Sequence, residues 1–134
     1  MNAPVANPSE VVLDASALLA FLQAEPGADV VEQHLEGAHI SLVNWSEVLS
    51  KLLAYSVQTG GMRAELTMLG LNFCPPDLVQ AERAAALRPP TQSLGLSLGD
   101  RFCLALAEQR QAVALTTDRA WGQIEVDIAV RVLR

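Results

Sequence analysis

The sequence predicts an α/β fold of three layers, in which helices cover both faces of a mainly parallel central sheet. Short β-branched runs, such as residues 11–13, alternate with amphipathic stretches, such as residues 45–58. This alternation is typical of βαβ units, whose crossovers place helices on both faces of a sheet. The chain has 134 residues, 51% of them hydrophobic, which is enough for one packed domain.

The individual elements follow from apolar periodicity and from the Pro and Gly residues that interrupt it. Pro4 and Pro8 predict an extended N-terminal extension over 1–10, followed by a single domain over 11–134. Predicted strands lie at 11–13, 39–43, 71–75, 112–117 and 128–133, and predicted helices at 15–23, 28–36, 45–58, 62–70, 77–88 and 100–111, with a loop at 89–99.

Composition excludes several classes of function. The net charge of −6 argues against non-specific duplex binding, which depends on a positive field. Aromatic residues make up only 4%, which argues against a surface on which bases stack. No apolar run reaches the roughly 18 residues of a membrane span, and the N-terminus lacks a secretory signal. We therefore expect a cytoplasmic protein that does not enter membranes, with Cys74 and Cys103 as reduced thiols.

Two acids stand where a parallel sheet binds its ligands. Asp14 directly follows the strand at 11–13, and Asp118 directly follows the strand at 112–117. Ligands bind beyond the carboxyl ends of such strands, so these two carboxylates mark a candidate site. Asp is also a favoured helix N-cap, and capping remains the alternative role for each.

Two further acids, Asp100 and Glu47, stand near predicted helix starts. Asp100 begins a helix whose residues 102–107 are all apolar, so its carboxylate needs a hydrogen bond, an ion pair or a metal. Its alternative role is a cap stabilised by the helix dipole. Glu47 lies off the apolar face of its helix, and its alternative role is an exposed ion pair with Lys51.

Four acids without matching cations predict a site for divalent metal. Close carboxylates repel one another unless a cation neutralises them, and hard oxygen ligands suit Mg²⁺ or Mn²⁺. Such ions can activate water and stabilise the leaving oxygen of a phosphodiester. His34 and His39 flank a glycine turn and are predicted to be surface residues, so a zinc site is not supported.

Other enzyme classes lack required parts. The sequence has neither GxxxxGK[ST] nor GxGxxG, and Ser93 and Ser97 have no evident His partner. A phosphatase of the haloacid dehalogenase type would need a second Asp where Ser16 stands. A receiver domain would need a late lysine, whereas the only lysine is Lys51.

The four acids lie in segments whose order and spacing resemble the PIN domain, and more closely the VapC toxins of bacterial VapBC toxin–antitoxin pairs. These segments, spread over residues 11–133, are VVLDASALLAFL, WSEVLSKL, LGDRFCLALA and ALTTDRAW. The resemblance implies a PIN-like fold and a Mg²⁺- or Mn²⁺-dependent endoribonuclease. It places the catalytic acids at Asp14, Glu47, Asp100 and Asp118, with the metal on the three aspartates.

The resemblance also implies supporting residues. Ser16 and Thr116 would orient ligands or a phosphate through their hydroxyls, and their alternative role is local hydrogen bonding to the backbone. Positive charge is scarce, so the expected phosphate contacts are the basic residues near site acids in sequence, Lys51, Arg101 and Arg119.

The partners implied are an RNA substrate, a cognate antitoxin laid over the active site, and a second copy of the chain. One sheet face can bury only part of the helices at 45–58 and 62–70, so we expect an exposed apolar patch that forms a homodimer. Two alternatives remain open: a PIN nuclease for RNA maturation or DNA processing outside a toxin pair, and a non-catalytic metal-binding interaction module.

Overall fold

The structure, a computed structural model, describes residues 10–134, so the extension predicted at 1–10 lies outside it except for Glu10. Five parallel strands form one sheet in the order β3-β2-β1-β4-β5. The strands are β1 (Val11–Leu13), β2 (His39–Ser41), β3 (Asn72–Cys74), β4 (Val113–Thr116) and β5 (Val130–Val132). The helices are α1 (Ala15–Leu22), α2 (Ala28–His34), α3 (Leu42–Ala54), α4 (Met62–Met68), α5 (Leu78–Ala86), α6 (Arg88–Thr91) and α7 (Leu98–Arg110).

Helices cover both faces of the sheet, which confirms the three-layer prediction. Side chains alternate along a strand, and the residues of β1 accordingly enter two different cores. Val11 and Leu13 pack in a cluster with Leu18 of α1, whereas Val12 packs in a cluster with Leu104 of α7. A strand whose three side chains are all buried requires a layer of helices on each side.

Strand order fixes the position of the site. From β1 the chain first builds the sheet outward through β2 and β3, and then returns to build β4 and β5 on the other side. At such a reversal the connections diverge and leave a crevice at the carboxyl ends of the strands. Leu13 pairs with Leu115 in the register of β1 and β4, so Asp14 and Thr116 are the next residues on the two strands.

In two segments a serine side chain caps a helix earlier in the chain than the sequence predicts. The strand predicted at 39–43 ends at Ser41, whose hydroxyl accepts a hydrogen bond from the Val43 backbone N–H at 3.2 Å and starts α3. The loop predicted at 89–99 contains α6, which tolerates proline in its first turn. It also contains the start of α7, where Ser97 and Asp100 form a capping box.

The prediction that His39 is a surface residue is wrong. His39 is buried at the start of β2, and its Nε2 lies 3.0 Å from Oε1 of Glu10. The same carboxylate oxygen lies 2.7 Å from Nε of Arg110 at the end of α7. A buried imidazole is tolerated when it has such a polar partner, and the sequence gives no sign of one 29 residues away.

The last features of the fold are its two thiols and the lengths of its helices. Cys74 and Cys103 are both free, as expected. Across residues 10–134, none of the helices is long and apolar enough to cross a membrane.

Candidate active site

The four predicted acids line one cavity at the carboxyl ends of β1 and β4. The cavity has a volume of about 260 Å³. The fold therefore brings together, around one cavity, residues that are spread from 14 to 118 in the sequence. Its walls are formed by Asp14, Ala15, Ser16, Leu19, Glu47, Lys51, Asp100 and Asp118.

Asp14 is buried and held by three hydrogen bonds. Its Oδ1 accepts from the Ala17 backbone N–H and the Ser16 hydroxyl, each at 2.7 Å, and its Oδ2 accepts from the Thr116 hydroxyl at 2.5 Å. Burial raises the pKa of Asp14 from 3.8 to about 6 even though these bonds lower it, and the charge of Asp100 raises it further. Asp14 thus serves both as the α1 cap and as a wall of the cavity.

The hydroxyls of Ser16 and Thr116 connect α1 to the end of β4. Besides bonding to Asp14, the Ser16 Oγ accepts from the Thr117 backbone N–H at 2.9 Å. The Thr116 Oγ1 accepts from the Asp118 backbone N–H at 3.0 Å. Each hydroxyl therefore orients a site carboxylate and also satisfies the backbone, so the two roles considered for them coincide.

Glu47 is half-buried and bonded to a neutral amide. Its Oε1 accepts a hydrogen bond from Nδ2 of Asn44 at 2.9 Å. No ion pair joins it to Lys51 in the described part of the chain, which removes the alternative role considered for Glu47. Burial raises the pKa of Glu47, the Asn44 bond lowers it, and the charge of Asp100 raises it.

Asp100 and Asp118 each combine a cap with a place in the cavity wall. Asp100 accepts from the Ser97 backbone N–H at 2.8 Å while its own N–H donates to the Ser97 hydroxyl at 3.1 Å. Burial raises the pKa of Asp100, and the charge of Asp118 adds to that effect. Asp118 is exposed and accepts from the Ala120 backbone N–H at 3.0 Å.

The acids face one another without cationic partners. None of the ion pairs found over residues 10–134 includes any of the four. The same residues contain no group of three His, Cys, Asp or Glu side chains gathered tightly enough to hold an ion. The carboxylates surround the cavity instead, which suits Mg²⁺ because that ion keeps several of its waters. Carboxylate oxygens are also the donors that Mg²⁺ and Mn²⁺ prefer, so the residues fit the metal.

The three expected phosphate contacts differ in position. Lys51 is exposed and lies in the cavity wall, one helical turn after Glu47. Arg119 is also exposed, and its Nε donates to the Arg134 carbonyl at 3.3 Å.

The prediction that Arg101 contacts a phosphate is wrong. It is only 7% exposed, and its Nη1 donates to the Ala84 carbonyl of α5 at 2.8 Å. Arg101 shares the packed face of α7 with Leu104 and Ala105, three and four residues later, so helical periodicity directs it into the interior.

Sequence analysis missed Asn44 and Gly99. Asn44 is fully buried in α3 and connects Glu47 to the Gly99 carbonyl at the start of α7. The sequence did contain one signal for Asn44: it stands three positions before Glu47, and residues with that spacing lie on the same face of a helix.

Comparison with known proteins places the chain in a family. A PIN domain family model matches residues 11–127, a span that contains all four acids. Ribonuclease VapC30 of Mycobacterium tuberculosis is 32% identical over 107 residues, which are 73% of this chain and 82% of the relative. A toxin–antitoxin complex from Klebsiella pneumoniae has a similar chain, with a TM-score of 0.74 and 25% identity over 92% of this chain and 98% of that one. VapBC-1 from nontypeable Haemophilus influenzae has a TM-score of 0.68 and 18% identity over the same shares. The chain therefore belongs to the PIN domain family.

Proposed function

We propose that this chain is a Mg²⁺- or Mn²⁺-dependent endoribonuclease that acts in the cytoplasm as the toxin of a toxin–antitoxin pair. The observation that carries the proposal is the cavity in which four acids meet without an ion pair, at the strand reversal of a PIN fold. A relative named as a ribonuclease and the neighbouring toxin–antitoxin structures support the same activity.

The acids divide the chemistry between them. Asp14, Asp100 and Asp118 would hold the metal, which supplies a polarised water and stabilises the leaving oxygen when bound. Asp14 needs little reorganisation because three hydrogen bonds already fix its carboxylate. Glu47 has a raised pKa and a fixed carboxylate, so it is suited to accept a proton from the attacking water.

A second cavity supports a route for the RNA strand. It has a volume of about 510 Å³ and shares Ser16, Leu19 and Lys51 with the acid cavity. Lys51 stands on the wall common to both, where its ammonium can hold a phosphate beside the acids. Arg119, exposed beside Asp118, is the second proposed phosphate contact.

Cleavage of a labelled RNA by the purified chain tests the activity. We expect cleavage with Mg²⁺ or Mn²⁺, none with EDTA, and cleavage reduced by about 100-fold or more in Asp14→Asn. Equal cleavage of a matched DNA would favour the alternative of a nuclease in DNA processing. Metal binding without cleavage of either polymer would favour the interaction module.

The surface of α3 and α4 supports the proposed dimer. Apolar side chains are exposed on both helices and just after them: Leu53 is 60% exposed, Met68 88%, Val57 38% and Leu69 51%. Exposed apolar patches of this kind usually mark an interface. We expect a homodimer through these helices, and a monomer by light scattering at micromolar concentration would contradict it.

The proposed antitoxin is a small protein whose tail reaches the acids, with an arginine supplying the missing positive charge. We expect expression of the chain alone to arrest growth and co-expression of a small upstream open reading frame to restore it. Unrestrained growth without any partner would contradict the toxin role and leave the nuclease role standing.

A further inference from the structure

We propose that Gly99 and Asn44 are positioning residues that fix the Glu47 carboxylate against the first turn of α7. This inference rests on the proposed function in so far as Glu47 takes part in cleavage. The contacts that carry it lie between α3 and α7, away from the hydrogen bonds that hold Asp14.

Because Gly99 has no side chain, the Glu47 carboxylate has room to lie against it. A Cβ placed on Gly99 would overlap Oε2 of Glu47 and would lie 2.5 Å from its Cδ and Oε1. Real Cβ atoms do not approach other atoms so closely, so any side chain at this position would displace the carboxylate.

The backbone offers no other reason for a glycine at this position. Gly99 is the second residue of α7 and has no positive φ. A glycine that adopts no positive φ loses more conformational freedom on folding than an alanine would at the same position. The missing side chain is therefore explained by the neighbouring carboxylate and not by a turn.

Asn44 forms hydrogen bonds with both Glu47 and Gly99. Its Nδ2 donates to Oε1 of Glu47 at 2.9 Å and to the Gly99 carbonyl at 3.0 Å. Both partners are acceptors, so the amide orientation is fixed by chemistry. Its Oδ1 is buried and has no partner within the described residues, which makes Asn44 costly as a packing residue.

The arrangement sets the distance between two acids that repel each other. Asp100 directly follows Gly99, so the Asn44 amide ties the Glu47 carboxylate to the residue beside Asp100. Without this tie, repulsion would favour rotamers that move Glu47 away from the cavity.

A double-mutant cycle between Gly99→Ala and Glu47→Ala tests the inference without metal. In EDTA, we expect Gly99→Ala to change the melting temperature less favourably in the wild-type background than in the Glu47→Ala background, because the displaced carboxylate loses its Asn44 hydrogen bond. In the Glu47→Ala background the same substitution should raise the melting temperature, because only the lower conformational entropy that alanine gives the unfolded chain remains. Gly60→Ala is the matched control, because a Cβ there meets open space.

Cleavage provides the second readout. At saturating Mn²⁺ we expect Gly99→Ala to lower kcat about 10-fold or more, with KM for RNA within about twofold of wild type. Asn44→Leu, which keeps the volume and removes both donors, should lower kcat about fivefold or more. Neither substitution should lower kcat further in the Glu47→Ala background, and Gly60→Ala should leave it unchanged.

Additive effects in the two backgrounds, or a Gly99→Ala variant with unchanged melting temperature and kcat, would overturn the inference. Full cleavage by Glu47→Ala would instead refute the catalytic role of Glu47. The melting-temperature cycle would still decide whether Gly99 and Asn44 hold its carboxylate.

Discussion

The two ends of the sheet handle buried charge in opposite ways. At the amino end, Glu10 lies 3.0 Å from the His39 imidazole and 2.7 Å from the Arg110 guanidinium, so its carboxylate has two polar partners. At the carboxyl end, four acids share one cavity, and the hydrogen bonds that hold them come from hydroxyls, backbone N–H groups and an amide. A paired charge has part of its desolvation cost offset by its partner, whereas clustered unpaired acids destabilise the fold until a cation binds.

The difference between the two ends of the sheet can be expressed as a free energy. The pKa of Asp14 is raised from 3.8 to about 6, which corresponds to roughly 3 kcal/mol of destabilisation when the carboxylate ionises in the folded, metal-free protein. At the amino end, burial lowers the pKa of His39, Arg110 lowers it further, and Glu10 opposes both. Each group at that end is balanced by a neighbour, and no ligand is needed.

The largest expected effect comes from neutralising the most buried acid. Asp14→Asn should reduce RNA cleavage by about 100-fold or more, because it removes a proposed metal ligand. Circular dichroism should show an unchanged fold. Cleavage within about threefold of wild type would refute the role of Asp14.

The pH dependence of stability should follow from the same residue. The folded-state pKa of Asp14 lies above its unfolded value, so the folded protein binds more protons than the unfolded chain between pH 3.8 and about 6. The free energy of unfolding therefore falls as pH rises through that range. Without metal, Asp14→Asn should therefore match wild type near pH 3.5 and exceed it by up to about 3 kcal/mol above pH 7. Urea denaturation across this range measures the difference, and parallel curves would contradict it.

Divalent metal should offset the destabilisation that the unpaired acids cause at the carboxyl end of the sheet. At 100 times its Kd, Mg²⁺ or Mn²⁺ should stabilise the fold by about 2.7 kcal/mol and raise the melting temperature at pH 7.5. Asp100→Asn should weaken this response. An undiminished response in that variant would count against Asp100 as a ligand.

The smallest effect is expected at the amino end. Glu10→Gln should cost about 1 kcal/mol or less, because its pairs are partly exposed to solvent. RNA cleavage and the metal response should not change. A large loss of activity in this variant would show that the two ends are coupled.

The sequence predicts the carboxyl end better than the amino end, for a physical reason. Asp14 directly follows β1 and Asp118 lies two residues after β4, so the general rule for parallel sheets locates them before any contact is known. The His39 pairing joins residues 29 positions apart, and neither residue has a local signature. Gly99 was equally hidden, because its lack of a side chain matters only after Glu47 lies against it.

Arg101 shows where a general rule misleads. Proximity to Asp100 in sequence suggested a phosphate contact, but its place on the packed face of α7 directs the guanidinium to a carbonyl of α5. Lys51, four residues from Glu47 on an exposed helix surface, reaches the cavity wall. Which face of a helix is packed thus decides which cations can meet a substrate.

Calorimetric titration of Mn²⁺ into the purified chain at pH 7.5 tests most directly whether the unpaired acids form a cation site. Wild type and Glu10→Gln should bind Mn²⁺ with the same affinity, and Asp14→Asn should bind it about 100-fold more weakly or not at all. Equal affinity in Asp14→Asn and wild type, or no binding by wild type, would contradict the assignment of this cavity as the metal-dependent active site.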